Sequence, residues 1–307
     1  MKSVLFLAPE DLGETVLATG ALAHVLEAGD VATMSAAPEA AALLRAAPAT
    51  RVWLPPGAAW SFALFARVRG ARFDIVIDAR NAMAGLLAPS RRRVALRAAP
   101  LLRHRAEDWA DACGAERALA PVLWLDEEAR AAAAAISPDA TPLLVLAPGG
   151  ASEAKRWPIE RFSAVARRLV GGELAGARIA IMGAAARDAA ITGAIVRSLD
   201  ADGVEARDFG LTPDLLAAAA LMERATIVIG NDNALTHIAA AAGAPTLTLF
   251  GPTDERVRAP YGSRSRTLRG RALEEAARLD ARAAMEDVSI DAVEAAAIDL
   301  LHAGGLR

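Results

Sequence analysis

Short runs of apolar, β-forming residues alternate with longer helical stretches along most of this 307-residue chain. The alternation limits the fold strongly, because strands joined by helices pair in parallel and are covered by helices on both faces. We predict strands over residues 3–8, 31–36, 51–55, 73–78, 143–148, 178–183, 226–231 and 246–251. We predict helices over residues 14–28, 37–46, 60–69, 158–171, 186–199, 212–223 and 234–242. The fold class is therefore α/β with parallel sheets.

The alternation divides into two blocks. It fades in the Arg-rich region 80–125 and resumes after ISPDATP, residues 136–142, which holds two prolines and several turn formers. We place a boundary there and predict domains over 1–138 and 139–307, each a helix-covered parallel sheet, facing one another across a cleft. The last helical stretch, 288–303, has apolar residues spaced for packing, and packing back across both domains is one option for it.

Composition excludes several classes of protein. A hydrophobic fraction of 54% allows a large core, and a net charge of −3 gives no reason to expect a nucleic-acid partner. The single cysteine, Cys113, can form neither an internal disulfide nor a thiolate metal site, which fits a reducing cytosol. The N-terminus MKSVLFLAPEDLGE is typical of a first strand rather than a signal peptide, and no uncharged apolar stretch of about 18 residues predicts a membrane span. We expect a cytoplasmic protein.

Polar residues follow four strands of the second block at the point where each strand ends. The segments are PGGASEAKRWP (148–158), GAAARD (183–188), GNDNALTH (230–237) and GPTDE (251–255). Parallel sheets bind ligands at the carboxyl ends of their strands, and GNDNALTH leads into a helix whose first N–H groups suit a phosphate. N-capping by Asp232 or Asn233, with His237 in the core, is the alternative for that one segment. Four such segments favour a ligand site.

Lys155 is one of only two lysines among the 34 basic residues, the other being Lys2. It lies in the loop after a predicted strand, where a flexible ammonium group can neutralise a phosphate; a solvated surface lysine is the alternative. The histidines lack metal-ligand spacing, and the Asp-x-Asp of LDADG, residues 199–203, belongs to a turn. We therefore predict a phosphate-containing ligand and no metal.

The motifs PGGASEAKRWP, IMGAAARD, DLLAAAALMERATIVIGNDNALTHIAAAAGAPTLTLFGPTDE and LGETVLATGAL together resemble the ADP-heptose:lipopolysaccharide heptosyltransferases of glycosyltransferase family 9. The resemblance runs from about residue 2 to residue 261. It implies the GT-B architecture of two Rossmann-like domains, with the acceptor in the N-terminal domain and the nucleotide-sugar donor in the C-terminal one. It also implies an inverting, metal-independent enzyme that moves a heptose-like sugar from an ADP-sugar to a lipopolysaccharide core or related glycan, without a cofactor.

The resemblance also assigns roles to residues of the second block. Lys155 corresponds to the lysine that contacts the donor phosphates and sugar, and Asp232 to the acid that holds the sugar hydroxyls. The backbone N–H groups of Asn233 and Ala234 correspond to those that receive the diphosphate. The predicted donor-binding residues are Gly149, Gly150, Ala151, Ser152, Lys155, Gly183, Asp232, Asn233, Ala234 and His237.

In the first block, the family's Leu-Gly-Asp is here Leu12-Gly13-Glu14. The resemblance therefore implies Glu14 as the general base, with Asp11 and Glu10 as nearby rivals. The candidate acceptor-binding residues are Gly13, Arg92 and Arg93, the arginines from a basic segment whose alternative is a solvated face. The implied acceptor is an anionic glycolipid, which leaves open a peripheral contact with the cytoplasmic face of the inner membrane.

This chain departs from the family pattern in both blocks, and Asn233 stands where the family usually has Ser or Thr. Ala234 stands where the family has Gly, Glu14 is one methylene longer than Asp, and Ala8 and Pro9 stand where the family often has Arg. Two other functions are therefore kept as alternatives. One is a catalytically silent relative that binds sugar nucleotides, and the other is a nucleotide-sugar epimerase of similar architecture.

Overall fold

The structure is a computed structural model and describes residues 1–48, 50–53, 64, 66, 68–81, 83–96, 102–210, 214–276 and 281–303. Its contacts divide the chain into two compact units. The first unit comprises Met1–Asp126 with Arg256–Arg258, and the second comprises Glu127–Glu255 with Ala259–Arg307.

The first unit is built on a five-stranded parallel sheet of order β3-β2-β1-β4-β5. Its strands are β1 (Ser3–Leu7), β2 (Val31–Ser35), β3 (Thr50–Trp53), β4 (Phe73–Asp78) and β5 (Ser90–Ala95). Its helices are α1 (Leu12–Val25), α2 (Pro38–Leu43), α3 (Met83–Leu87) and α4 (Arg105–Cys113), and residues 64, 66, 68 and 69 are also helical. Apolar residues bury the central strand β1 on both faces, as parallel packing requires.

The second unit is built on a six-stranded parallel sheet of order β11-β10-β9-β6-β7-β8. Its strands are β6 (Leu143–Ala147), β7 (Arg178–Ile181), β8 (Ala206–Asp208), β9 (Ile227–Asn231), β10 (Thr246–Phe250) and β11 (Ser265–Arg269). The helices from residue 127 onwards are α5 (Glu127–Ile136), α6 (Ile159–Gly171), α7 (Ala185–Asp200), α8 (Leu215–Glu223), α9 (Ala234–Ala241), α10 (Glu255–Arg258), α11 (Leu273–Ala276), α12 (Ala281–Glu286) and α13 (Ile290–Ala303).

A dense apolar core fixes the centre of the second sheet. Every residue of β6, β9 and β10 is buried, so the backbone at the end of each strand starts from a rigid position. Trp157 packs edge-to-face on Phe162 with ring centroids 5.0 Å apart, and its indole Nε1 donates to the carbonyl of Val288 at 2.8 Å. The loop between β6 and α6 therefore returns to a fixed anchor.

The structure confirms the predicted α/β class and its parallel sheets. The predicted strands all occur within two residues of their expected ends, whereas the predicted helix over 60–69 lies largely outside the described residues. The described residues form three additional strands, β5, β8 and β11. Each lies at a sheet edge with exposed side chains, and so lacks the continuous apolar run that marks a buried strand.

Helix α5 belongs to the second unit, although it precedes the boundary predicted after residue 138. It packs against α8, where its buried Ala129 and Ala133 permit close approach of the two helices. The contacts divide the chain between Asp126 and Glu127 instead. The last helix, α13, packs on α6 and on β9, β10 and β11 within the second unit.

Candidate functional site

The four polar segments predicted to meet a ligand lie along one edge of the second sheet. They follow β10, β9, β6 and β7, which are neighbours in that order. Because these strands pair in parallel, their carboxyl ends share one edge. The candidate site is therefore built from four consecutive strand ends.

Lys155, Asp232 and Thr253 meet at this edge, each from a different strand end. Lys155 Nζ donates to Asp232 Oδ2 at 2.7 Å, and Thr253 Oγ1 donates to the same oxygen at 2.8 Å. The side chains of Lys155 and Asp232 are 22% and 14% exposed, so a ligand can reach both. A cation beside a carboxylate suits a ligand that carries both anionic and hydroxyl groups. The sequence pointed to GPTDE as a segment, but not to Thr253.

Asn231 holds both ends of the loop that carries Lys155. Its side chain, with no exposure, donates from Nδ2 to the carbonyl of Pro148 at 2.7 Å. Its Oδ1 accepts from the backbone N–H of Trp157 at 3.1 Å. Asn231 is not among the residues predicted from the sequence. A polar residue closing the apolar run of a buried strand is the signal that could have found it, because buried amides require partners.

Asn233 joins the start of α9 to the end of β6. Its Oδ1 accepts from the N–H groups of Leu235 and Thr236 at 2.9 and 3.2 Å, which makes Asn233 the N-cap. Its Nδ2 donates to the carbonyls of Ala147 and Gly149 at 3.0 and 2.9 Å. The cap thus uses two of the four N–H groups that a helix start leaves open, and those of residues 233 and 234 keep no acceptor among the described residues.

Asp188 links the loops after β6 and β7. It is 1% exposed, and its Oδ2 accepts from the N–H of Ala184 at 2.8 Å. A Cβ atom on Gly149 would lie 2.3 Å from this Oδ2, so only glycine leaves room for the carboxylate. Arg156 places Nη2 3.6 Å from Asp188 Oδ1 and donates to the carbonyl of Gly150 at 3.0 Å. Asp188 belongs to the segment GAAARD, but the sequence alone predicts no role for it.

The other predicted donor residues differ in their exposure. Ala151 and Ser152 are exposed at the tip of the loop, whereas Gly150 and Gly183 are buried beneath it. His237 is only 6% exposed within α9. The exposed loop tip and the pair formed by Lys155 and Asp232 are therefore the parts of the predicted set that a ligand meets most directly.

The predicted general base, Glu14, lies in the first turn of α1. Its Oε2 accepts from Arg105 Nε at 3.2 Å, and its Oε1 accepts from Arg258 Nη1, of the short segment that groups with the first unit, also at 3.2 Å. The rival Asp11 is the N-cap of α1, where its Oδ1 accepts from the N–H of Glu14 at 2.9 Å. The other rival, Glu10, is exposed. Asp11 thus has a structural task, and Glu14 has ion-pair partners.

Arg80 brings a guanidinium group to the carboxyl edge of the first sheet. It donates to the carbonyl of Ala8 at 2.7 Å and to that of Ser35 at 2.9 Å. Burial lowers the pKa of this guanidinium to about 10, so it stays charged at neutral pH. Ala8 and Pro9 stand where the family often has Arg. The guanidinium of Arg80, which follows β4, lies beside Ala8 and supplies a positive charge near that position.

The predicted acceptor residues have internal partners. The guanidinium of Arg92 donates to the carbonyl of Cys113, the last residue of α4. Arg93 donates to the carbonyls of Gly85 and Ala88 at 2.8 Å each, at the end of α3. Gly13 is buried within the first turn of α1. Both arginines thus neutralise helix carboxyl ends, where a cation is favoured.

The described part of the chain contains neither a candidate metal site nor a candidate membrane span. Its His, Cys, Asp and Glu side chains form no group of three or more that could hold a metal ion. None of its helices is both long enough and apolar enough to cross a membrane.

Comparison with known families identifies this combination of fold and site. The model described as "Glycosyltransferase family 9 (heptosyltransferase)" matches residues 44–288, well over half of the chain. The chain belongs to glycosyltransferase family 9. The family predicted from the motifs is thereby confirmed, and the match includes the whole cluster of Lys155, Asp232 and Thr253.

The sequence similarity to individual curated proteins is low and covers only part of the chain. The lipooligosaccharide heptosyltransferase 2 of Haemophilus influenzae is 30% identical over 133 residues, which cover 42% of this chain and 36% of that protein. The chain thus spans about a third of the length of the curated relatives it matches.

Solved structures resemble the whole chain. E. coli ADP-heptose lps heptosyltransferase II is 19% identical with a TM-score of 0.77, and the match covers 100% of both chains. E. coli heptosyltransferase WaaC with ADP is 18% identical with a TM-score of 0.72, covering 97% of this chain and 99% of that one. These likenesses confirm the predicted GT-B fold class. TibC from enterotoxigenic E. coli, described as iron-containing, is 13% identical with a TM-score of 0.56 over 99% of this chain and 76% of that one.

Proposed function

We propose that this chain is an inverting glycosyltransferase that moves a heptose-like sugar from an ADP-sugar to a lipopolysaccharide core or related glycan. The observation that carries the proposal is the pair of Lys155 and Asp232, 2.7 Å apart at the carboxyl edge of the second sheet of a family 9 member. Relatives named for ADP-heptose or solved with ADP support the choice of nucleotide.

In this proposal the donor replaces an internal ion pair. The diphosphate draws Lys155 away from Asp232, because a doubly anionic group competes for the ammonium more strongly than one carboxylate. The N–H groups of residues 233 and 234 receive the same diphosphate at the start of α9, where the helix dipole favours negative charge. Asp232, freed from Lys155, then accepts hydrogen bonds from sugar hydroxyls.

Glu14 is the proposed general base. In an inverting transfer, the acceptor hydroxyl attacks the anomeric carbon from the face opposite the leaving ADP, and the base takes the hydroxyl proton as the new bond forms. Each Glu14 oxygen accepts from one guanidinium group and keeps a second lone pair, which can accept from the acceptor hydroxyl. The two guanidinium groups keep the carboxylate oriented.

We further propose that the transfer needs no metal ion. Lys155 and the start of α9 together supply the positive charge that stabilises the departing diphosphate. Transfer should therefore continue unchanged after treatment with EDTA and an iron chelator. A loss of turnover that added Mg²⁺, Mn²⁺ or Fe²⁺ restored would contradict this part of the proposal.

The proposed acceptor is an anionic glycolipid, which places the protein at the cytoplasmic face of the inner membrane as a peripheral partner. Arg92 and Arg93 are candidates for binding its phosphate or carboxylate groups. Both residues are exposed, although their guanidinium groups also donate to backbone carbonyls. Charge reversal at both positions should raise the acceptor KM at low salt. An unchanged acceptor KM would remove them from the site.

One pair of lysine variants tests the donor site. Lys155→Ala should weaken ADP binding about 10- to 100-fold in calorimetry, through loss of a charge-assisted phosphate contact. Lys2→Ala is the matched control, because Lys2 pairs with Glu27 at the surface of the first unit. Equal ADP affinity in Lys155→Ala and wild type would make Lys155 a surface residue. Binding of ADP-heptose without transfer to any lipid A-type acceptor would favour the catalytically silent relative.

A further inference from the structure

We infer that Thr253 is a positioning residue, which holds Asp232 so that one carboxylate oxygen is kept for the sugar of the donor. The inference rests on the proposed function, and it concerns a residue outside the predicted donor set. Thr253 Oγ1 donates to Asp232 Oδ2 at 2.8 Å. Lys155 donates to this same oxygen, so the side-chain hydrogen bonds that Asp232 makes within the described part of the chain leave Oδ1 for a ligand.

The role of Thr253 follows from what happens when Lys155 leaves. Without Thr253, the orientation of the Asp232 carboxylate would no longer be fixed once the Lys155 ammonium group binds the diphosphate. Thr253 remains bound to Asp232, because a neutral hydroxyl is attracted to the diphosphate less strongly than a charged ammonium group. The carboxylate is then held in one rotamer by Thr253 at the moment when it must bind hydroxyl groups.

The backbone around Thr253 is itself fixed, which a positioning role requires. Arg269, at the end of β11, donates to the carbonyls of Gly251 and Thr253 at 2.9 and 2.5 Å. The same guanidinium pairs with the carboxylate of Glu255, so it spans the turn after β10. On the other side, the N–H of Asp232 donates to the carbonyl of Leu249 at 3.1 Å. Both partners of the hydrogen bond therefore start from rigid backbone.

A hydroxyl in this place predicts a separation between nucleotide and sugar binding. Lys155 and the start of α9 would bind ADP whether or not Asp232 is oriented. Only binding of the sugar would be weakened if the Asp232 carboxylate rotated. Loss of the Thr253 hydroxyl should therefore weaken ADP-heptose binding about tenfold, in line with one hydrogen bond to a charged group, and leave ADP binding unchanged.

The experiment compares Thr253→Val, which keeps the shape and removes the hydroxyl, with Thr253→Ser, which keeps the hydroxyl. Calorimetry with ADP and with ADP-heptose gives the two affinities, and steady-state kinetics gives the donor KM and kcat. We expect a higher KM and weaker ADP-heptose binding for the valine variant, restored by serine. Thr248→Val is the matched control, because Thr248 is fully buried on β10, the strand that precedes Thr253, and its hydroxyl has no hydrogen-bond partner among the described residues.

Two results would overturn the inference while leaving the proposed function intact. One is a Thr253→Val variant with wild-type affinity for both ligands. The other is an equal loss for ADP and ADP-heptose, which would indicate a general structural role. A wild-type chain that bound neither ligand would contradict the proposed function, and this inference with it.

Discussion

Replacement of Asn231 by aspartate tests the loop anchor with a change of one atom. The Asn231 side chain is fully buried, donates to the carbonyl of Pro148 at 2.7 Å and accepts from the N–H of Trp157 at 3.1 Å. Asn231→Asp keeps the acceptor and the shape but removes the donor. An ionised carboxylate would then face the oxygen of Pro148 in a site without solvent.

The expected cost depends on pH. Leaving a buried carbonyl without its donor costs about 1–3 kcal/mol. Burial and the facing carbonyl raise the folded-state pKa of the new aspartate above its unfolded value of about 3.9. The folded state then binds more protons than the unfolded state above that value, so stability falls by about 1.4 kcal/mol for each pH unit up to the folded pKa. Near pH 4 the protonated acid can donate to Pro148 again, and most of the cost disappears.

The assay is urea denaturation of the full chain followed by circular dichroism at pH 4.5, 6.0 and 7.5, with wild type measured at each pH. We expect the free energy of unfolding of the variant to lie about 3 kcal/mol or more below wild type at pH 7.5, and to approach it at pH 4.5. Asn81→Asp is the control, because Asn81 is exposed with a φ of 52°, a conformation that aspartate also tolerates. A deficit that is independent of pH, or no larger than that of Asn81→Asp, would refute the reasoning.

Two further substitutions and one labelling experiment test the chemistry and the packing. Glu14→Gln should lower kcat by about 10²–10⁴-fold with ADP affinity unchanged. If this variant retained half of the wild-type turnover, Glu14 would not be the general base. Gly149→Ala should lower both stability and ADP affinity, because its Cβ would lie 2.3 Å from Asp188 Oδ2, whereas the Cβ of Gly150→Ala would come no closer than 3.1 Å to its nearest neighbour, Arg156 Cγ; equal effects would contradict the packing. Burial raises the pKa of the Cys113 thiol to about 11, so Ellman's reagent at pH 8 should label it in guanidinium but hardly at all in the folded chain, and rapid native labelling would contradict that burial.

The sequence predicted the strands that are buried on both faces, because their apolar runs are continuous. β6, β9 and β10 are of this kind. The edge strand β5 could not be found in this way, because its three arginines are exposed and read as a basic loop. Sheet edges in a parallel fold give a weak signal of period or composition.

The residues of the candidate site also differ in how far the sequence could predict them. Lys155 and Asp232 could be predicted, because each follows a recognisable strand and carries a charge in a place where ligands bind. The role of Thr253 could not, since it depends on which strands are neighbours and on where the chain turns. At Asn231 the sequence signals a buried amide that needs partners, but not which partners it has. Leu249 pairs with Asn231 in the register of β9 and β10, and only this alignment brings the turn after β10 beside Asp232.

The scarcity of lysine gives the Lys155 loop a practical property. A protease that cuts only after lysine has two targets in this chain, and cleavage after Lys2 removes no more than two residues. The other target lies in the loop that Asn231 pins at both ends, beside Asp232. A single cut there would split the polypeptide into two nearly equal fragments, 1–155 and 156–307. Whether a molecule occupies that edge of the sheet can thus be read on a gel, without any label, as the survival of one full-length band.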